Sequence, residues 1–163
     1  MPVTTTATTV MPSASITIMI NASWVVGALP EEGRAVREAV FGREMGMRPE
    51  EYLDDRDETA WHLVAREDGR VVGTARVCIR GAAWEIGPVA VLRDARNRQV
   101  GDLMVRLCVF RLQQMPQAPI LARVPEAARS LFARIGFVPT QETGWMEFPV
   151  GGVLQGSCCH HDA

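Results

Sequence analysis

VAVLRDARNRQVGDLM, residues 89–104, passes from a short apolar run through an Arg-rich turn into an amphipathic segment. The order implied is strand, loop, helix N-terminus. Such a loop points several backbone N–H groups and the positive end of a helix at one spot, which makes an anion site. Arg96 and Arg98 add charge on mobile side chains at the same place. Gly101 lacks a Cβ in the first helical turn, so backbone or ligand can approach closely.

Working outward, the flanks alternate between strand and helix signals. Ala60–Arg66 and Arg70–Ile79 are β-rich runs joined by Asp68-Gly69, a tight-hairpin pair. Ala83–Leu92 is a further strand with Gly87-Pro88 in its middle; proline cannot donate to a ladder, so a bulge or an unpaired edge is expected there. Val100–Gln114 carries Val100, Leu103, Met104, Leu107 and Cys108 on one helical face. Pro119–Val124 reads as a strand, Pro125–Ile135 as a helix, and Phe137–Thr140 and Gly144–Val150 as the last strands. Upstream, Ser15–Val26 is a β-branched first strand. Pro30-Glu31-Glu32 starts a helix that fades near Gly42 or Gly46, and a short helix starts at Pro49. Residues 1–15, rich in Thr, Pro and Ala, read as a disordered leader, and residues 151–163 as a flexible tail.

The chain has 163 residues, 47% of them apolar, which is one domain with a real core. A net charge of −2 gives no bulk attraction to nucleic acid, so none is expected as a partner. The basic residues are all arginine, a pattern that codon bias in a GC-rich genome, or avoidance of self-acylation at lysine, would produce. No apolar run reaches the ~18–20 residues of a membrane span, and Ile16–Val26 lacks the basic flank of a signal peptide. No membrane association is expected. Cys78 and Cys108 sit in core-like patterns, which fits a reducing cytoplasm and argues against a covalent thioester route. Cys158-Cys159-His160-His161 has metal-binding residue types without the gaps of a tetrahedral site, so no metal is expected. His62 at the head of a strand reads as a hydrogen-bonded structural residue.

Four motifs in order resemble the GNAT N-acetyltransferase superfamily, in a small bacterial single-domain branch, over roughly Ile16 to Val150. Arg96-Asn97-Arg98-Gln99-Val100-Gly101 aligns with Arg/Gln-x-x-Gly-x-Gly/Ala, with Gln99 in place of the first glycine. Phe41-x-x-Glu44-x-Gly46 matches one stretch of that branch. Asp54-x-x-Asp57, His62-Leu63-Val64-Ala65 and Val72-Gly73-Thr74-Ala75-Arg76 match the next, and Leu131–Phe137 matches a C-terminal element. The resemblance implies an α/β (α+β) fold: a mixed, mostly antiparallel twisted sheet of about six to seven strands with about four helices on both faces.

The resemblance also implies acetyl-CoA, or a related acyl-CoA, as donor co-substrate. The fourth strand would splay from the fifth at its bulge. Val89, Ala90 and Val91 would line the pantetheine arm, with its amides on the backbone of Val89 and Val91. The pyrophosphate would sit on the amides of Asn97, Arg98, Gln99, Val100, Gly101 and Asp102, beside Arg96. Phe132 occupies the position of the family's general-acid tyrosine and completes the expected donor site.

Amine acylation needs a base for the amine's proton and a polarised donor carbonyl, for which a strand N–H such as that of Val91 serves. Glu85, on the strand leading into the cleft, is the first candidate base and Glu44 the second. Asp54, Asp55 and Asp57 form either a solvated acidic face or a negative rim, which points to a cationic acceptor. A general acid contributes roughly 10²–10⁴-fold, whereas positioning two reactants supplies about 7–11 kcal/mol. A thiol with pKa near ~8.5 is a tolerable leaving group. Loss of the tyrosine hydroxyl at Phe132 thus slows transfer without abolishing it, with water or Ser130 in its place. The leading expectation is a cytoplasmic N-acetyltransferase acting by direct attack of a primary amine of a small molecule or peptide. A non-catalytic acyl-CoA sensor and a transferase of longer acyl chains are the alternatives, and a homodimer through the last strands is a further expectation.

Overall fold

Residues 61–91 build the centre of the sheet from three consecutive antiparallel strands, and the rest of the fold is arranged around them. The computed structural model describes residues 4–10 and 17–156. In chain order it contains β1 (Thr4–Val10), β2 (Thr17–Val26), α1 (Glu31–Arg37), α2 (Pro49–Tyr52), β3 (Trp61–Glu67), β4 (Arg70–Arg80) and β5 (Ala83–Val91). There follow α3 (Val100–Gln113), β6 (Ile120–Arg123), α4 (Arg129–Ile135), β7 (Val138–Pro139) and β8 (Trp145–Phe148). α1 runs directly into a π-helical stretch, Glu38–Glu44, and Asp55–Glu58 forms a 3-10 turn after α2.

The strands form one sheet in the order β1-β2-β3-β4-β5-β6-β8-β7. Every described pair is antiparallel except β5–β6, which α3 connects as a parallel crossover. The expected GNAT-like mixed sheet with helices on both faces is therefore present. The sheet has eight strands rather than six or seven, because Thr4–Val10, expected to be a disordered leader, pairs along β2 from Thr4↔Ser23 to Val10↔Thr17. Its Thr-rich, β-branched composition suits a strand that only an existing edge can template. The β3–β4 hairpin turns through Asp68 and Gly69, both at positive φ, as the sequence predicts.

The two faces differ in chemistry. On one, α3 and α4 cover Leu63, Ala65, Ala75, Val77 and Ile86, with Met104, Val105, Cys108 and Val109 fully buried. Gly73 lets α3 dock closely, since a Cβ there would meet Met104 Sδ at 2.9 Å. On the other face, α1 and its π-helical extension pack Val36, Val40 and Phe41 against Tyr52 and Ala90. That second core is small, and much of what it covers is polar. The expected flexible tail is also corrected in part. Gln155 N–H donates to Ile135 O at 2.9 Å, and Arg106 donates to Gln155 O at 2.6 Å, so residues 151–156 are tied to α3 and α4. Cys158–His161 lie outside the described residues.

Candidate functional site

β5 carries the first half of the site through a change of register. Ile86 pairs with Val77 and Val89 with Ala75, so Gly87 and Pro88 are bulged out opposite Arg76. Backbone groups alternate sides along a strand. Trp84 N–H donates to Pro119 O on the β6 side at 2.9 Å, and Leu92 N–H donates to Val72 O on the β4 side at 2.8 Å. The bulge therefore leaves the polar groups of Val89 and Val91 facing away from β4. β6 no longer accompanies β5 there, its register ending at Ile86↔Ala122. Val89 thus offers a backbone donor and acceptor, and Val91 a donor, to a gap between splayed strands where an amide-bearing chain can insert; the Val91 carbonyl is taken by Arg96.

The second half is the loop into α3. No backbone N–H from Asn97 to Asp102 donates to another described residue, and no side chain caps α3. Asn97 and Gln99 are at φ +61° and +63°, which turns successive N–H groups outward as an anion nest. Glycine is the unstrained residue at such angles. A glutamine in this region costs roughly 1–3 kcal/mol, partly offset by glycine's greater unfolded entropy. Gln99→Gly is therefore expected to stabilise the protein by about 0.5–1 kcal/mol, raising the thermal midpoint by roughly 2–4 °C. A lower midpoint in thermal unfolding would show that Gln99 holds the loop through its side chain.

The two arginines of this loop are not mobile. Arg96 donates from Nε to Val91 O and from Nη1 and Nη2 to the two carboxylate oxygens of Glu44, each at 2.9 Å. Arg98 pairs with Glu67 at 2.7 Å. Hydrogen bonding from Arg96 holds the Glu44 carboxyl below the usual carboxylate range. Glu44 is thereby a poor proton acceptor: its bidentate pair anchors the loop to the end of the π-helical stretch. Sequence spacing could not show this, because the partners are 52 residues apart.

Glu85 sits on the α1 face of β5, opposite Cys78 and largely buried. Its Oε2 accepts from Arg56 at 3.2 Å and Arg80 at 3.4 Å, while Oε1 has no partner among the described residues. Behind it lies a polar network that the sequence reading missed. Fully buried Arg37 donates to both carboxylate oxygens of Asp57 at 2.9 Å and to Tyr52 O. Arg76 donates to Asp54 at 2.6 Å, to Asp57 at 3.1 Å and, through Nε, to Gly87 O in the bulge. Asp54 and Asp57 are therefore neither a free solvated face nor a free negative rim, since both accept from guanidinium groups. Burial pushes Asp54 upward, but Arg76 and Arg56 outweigh it and hold the carboxyl below its usual range. The only sequence signal was a buried-strand position, 76, occupied by arginine.

His62 is fully buried, with Nε2 2.8 Å from Asp57 O, the neutral tautomer donating; this agrees with the structural role expected for it. Desolvation pushes its pKa down, only partly opposed by that carbonyl. Below about pH 6.5 the unfolded chain takes a proton that the native imidazole refuses. Stability is thus complete above that pH and falls below it, by at most about 1.4 kcal/mol per pH unit, until the native group titrates. His62→Gln should flatten urea-unfolding stability between about pH 6.5 and pH 5; an unchanged slope would assign the loss to the carboxylates.

Phe132 does not line the site. It is buried in the α3–α4 core, edge-on to Phe137 at 5.0 Å, because an apolar ring without a hydroxyl gains by packing there. Ser130 is exposed on α4. Burial raises the Cys78 and Cys108 thiol pKa values, which leaves neither an activated nucleophile. Among the described residues no group of three or more His, Cys, Asp or Glu is placed to hold a metal ion, and no helix is long and apolar enough to cross a membrane. A surface cavity of about 160 Å³, lined by Leu112, Phe148 and Gly152, lies at the far end of α3 from this chemistry. The site is an open groove.

The family model of the GNAT acetyltransferase domain matches residues 58–139, which takes in Glu85, the bulge, the loop and the start of α3. A comparison with curated proteins finds no match. Among solved structures, an acyl-CoA N-acyltransferase from Pseudomonas aeruginosa is 21% identical with a TM-score of 0.65, over 78% of this chain and 99% of that one. The catalytic domain of the Tetrahymena GCN5 histone acetyltransferase, in complex with coenzyme A, is 16% identical with a TM-score of 0.60, over 79% and 92%. A GNAT acetyltransferase from Brucella melitensis, in complex with acetyl-CoA, is 18% identical with a TM-score of 0.53, over 82% and 91%.

Proposed function

The chain belongs to the GNAT acetyltransferase family, and on that premise we propose that it transfers an acetyl group from acetyl-CoA to the primary amine of a small molecule. The observation that carries the proposal is the run of backbone N–H groups that face away from β4 at Val89 and Val91 and continue into the unpartnered N–H groups of the 97–102 loop and the N-terminus of α3. A pantetheine amide needs the first, a pyrophosphate the second, and their order along β5–α3 is that of the donor molecule.

The donor supplies a thioester carbonyl; the chain's own residues do the rest. The Val91 N–H, facing the gap, would polarise that carbonyl. Glu85 Oε1 would take the proton of the attacking amine as the C–N bond forms and the C–S bond breaks. The departing sulfur takes its proton from water, since Phe132 has none to give. No acyl-cysteine is needed, in keeping with the raised thiol pKa values.

Calorimetry with acetyl-CoA, paired with thiol release over a panel of amines, tests this reading. Micromolar donor binding with turnover on at least one amine is expected. Binding without turnover on any amine supports the sensor reading, which the absent hydroxyl at Phe132 favours. Faster turnover with longer acyl donors would move the donor class, and no binding would remove both readings.

A further inference from the structure

Of the three carboxylates that suggested a cationic acceptor, Asp54 and Asp57 are paired with arginines, Asp55 stays exposed without an ion pair among the described residues, and the side chains that touch Glu85 are both cationic. Among the described residues, the guanidinium groups of Arg37, Arg56, Arg76 and Arg80 have no carboxylates within 4 Å other than those of Asp54, Asp57 and Glu85. Arg37 and Arg76 are buried, so the surplus charge is expressed at Arg56 and Arg80, whose side chains are 40% and 43% exposed. Arg80 is also held in place. Its guanidinium lies 4.3 Å over the Trp145 ring, and Nη1 touches Glu85, while Nε and Nη2 have no partner among the described residues. That free edge is the fork by which arginine binds a carboxylate with two parallel hydrogen bonds. Stacking on an indole orients the fork in advance and lowers the cost of ordering it.

We propose that the acceptor is an amino acid, or a similar compact amine with a carboxylate a few bonds from the nitrogen. The carboxylate binds the Nε–Nη2 edge of Arg80, with Arg56 beside it, while the amine faces Glu85. This rests on the acyltransferase reading above and deepens it. Arg80, Arg56 and Trp145 are specificity-determining residues in this account, and Glu85 alone takes the proton. Binding of the acceptor carboxylate also offers Arg80 a second anion, so that the fork positions the nitrogen at Glu85.

The test uses the full chain with acetyl-CoA and matched sets of α- and β-amino acids, their primary amides, the corresponding decarboxylated amines, and phosphoethanolamine. The acids are expected to exceed their amides by roughly 100-fold in kcat/KM, because the amide leaves a cationic fork unpaired. Arg80→Met should reduce that preference to about 5-fold or less, chiefly through KM, and Arg80→Lys should keep an intermediate preference. Arg34→Met, which removes an exposed charge on α1, should leave the preference unaltered. Amides used as well as acids, or a preference that survives Arg80→Met, overturns the proposal; phosphoethanolamine outrunning every carboxylate overturns the carboxylate in favour of a phosphate. Absence of thiol release with every amine is a failure of the acyltransferase reading. The carboxylate site is then read separately, by calorimetry of N-acetyl amino acids against their amides with coenzyme A present. Tighter binding of the acid, lost in Arg80→Met, supports the site, and equal binding overturns it.

Discussion

Replacing Asp57 by alanine is expected to remove about 3–5 kcal/mol of stability, a large part of the roughly 5–15 kcal/mol that a domain of this size possesses. Asp57 is the carboxylate between two buried cations. Without it, Arg37 keeps one carbonyl partner, Tyr52 O, and Arg76 keeps Asp54 and Gly87 O. Arg37 is already incompletely satisfied, with Nε and Nη2 buried and unpartnered, so little remains to absorb the loss. Asp57→Asn, which retains an acceptor but not the charge, should fall between wild type and Asp57→Ala. Urea unfolding measures the effect. Should the single variant fail to fold, Arg37→Met combined with Asp57→Ala should recover soluble protein, because removing a cation with its partner leaves no buried charge at that end of the network. A loss below about 1 kcal/mol for the single variant would mean that water solvates this network in solution.

Glu85→Gln is expected to lower kcat by roughly 10²–10⁴-fold while donor affinity changes little. Glutamine is nearly isosteric and still accepts from Arg56 and Arg80, so geometry and stability are largely kept. What it loses is the ability to take a proton at Oε1. Glu85→Asp, which keeps the carboxylate but withdraws it by one methylene, should retain an intermediate rate. A kcat within about threefold of wild type would transfer the base role to water or another group. Glu44→Gln provides the contrast: it should weaken donor binding by loosening Arg96 and the 97–102 loop, with a smaller change in kcat.

The fold was legible because its signals are local. Asp68-Gly69 demands a turn that few other pairs adopt, Gly87-Pro88 forbids a regular ladder, and the Val100–Gln113 stripe has one period. The backbone arrangement proposed to hold the donor was legible for the same reason: it is placed by strand register and a helix start. β1 was not, because a Thr-rich segment has no strand stability of its own until β2 supplies an edge. In the sequence the π-helical stretch looks only like a helix fading near Gly42 or Gly46. Gly42 allows Tyr52 Oη within 2.9 Å of where a Cβ would stand, and that contact comes from a different element.

By itself, then, the sequence determined the order of elements, the bulge and the amide-lined loop, since each follows from the conformational limits of residues adjacent in the chain. Tertiary structure alone decided the charges. Glu44 became an anchor for Arg96, Asp54 and Asp57 became counterions for buried Arg37 and Arg76, and Arg80 was left with an open edge over Trp145. The physical reason is that a backbone angle is set by its own residue and neighbours. The worth of a charge is set by whatever opposite charge the fold brings within about 4 Å and by the water it removes.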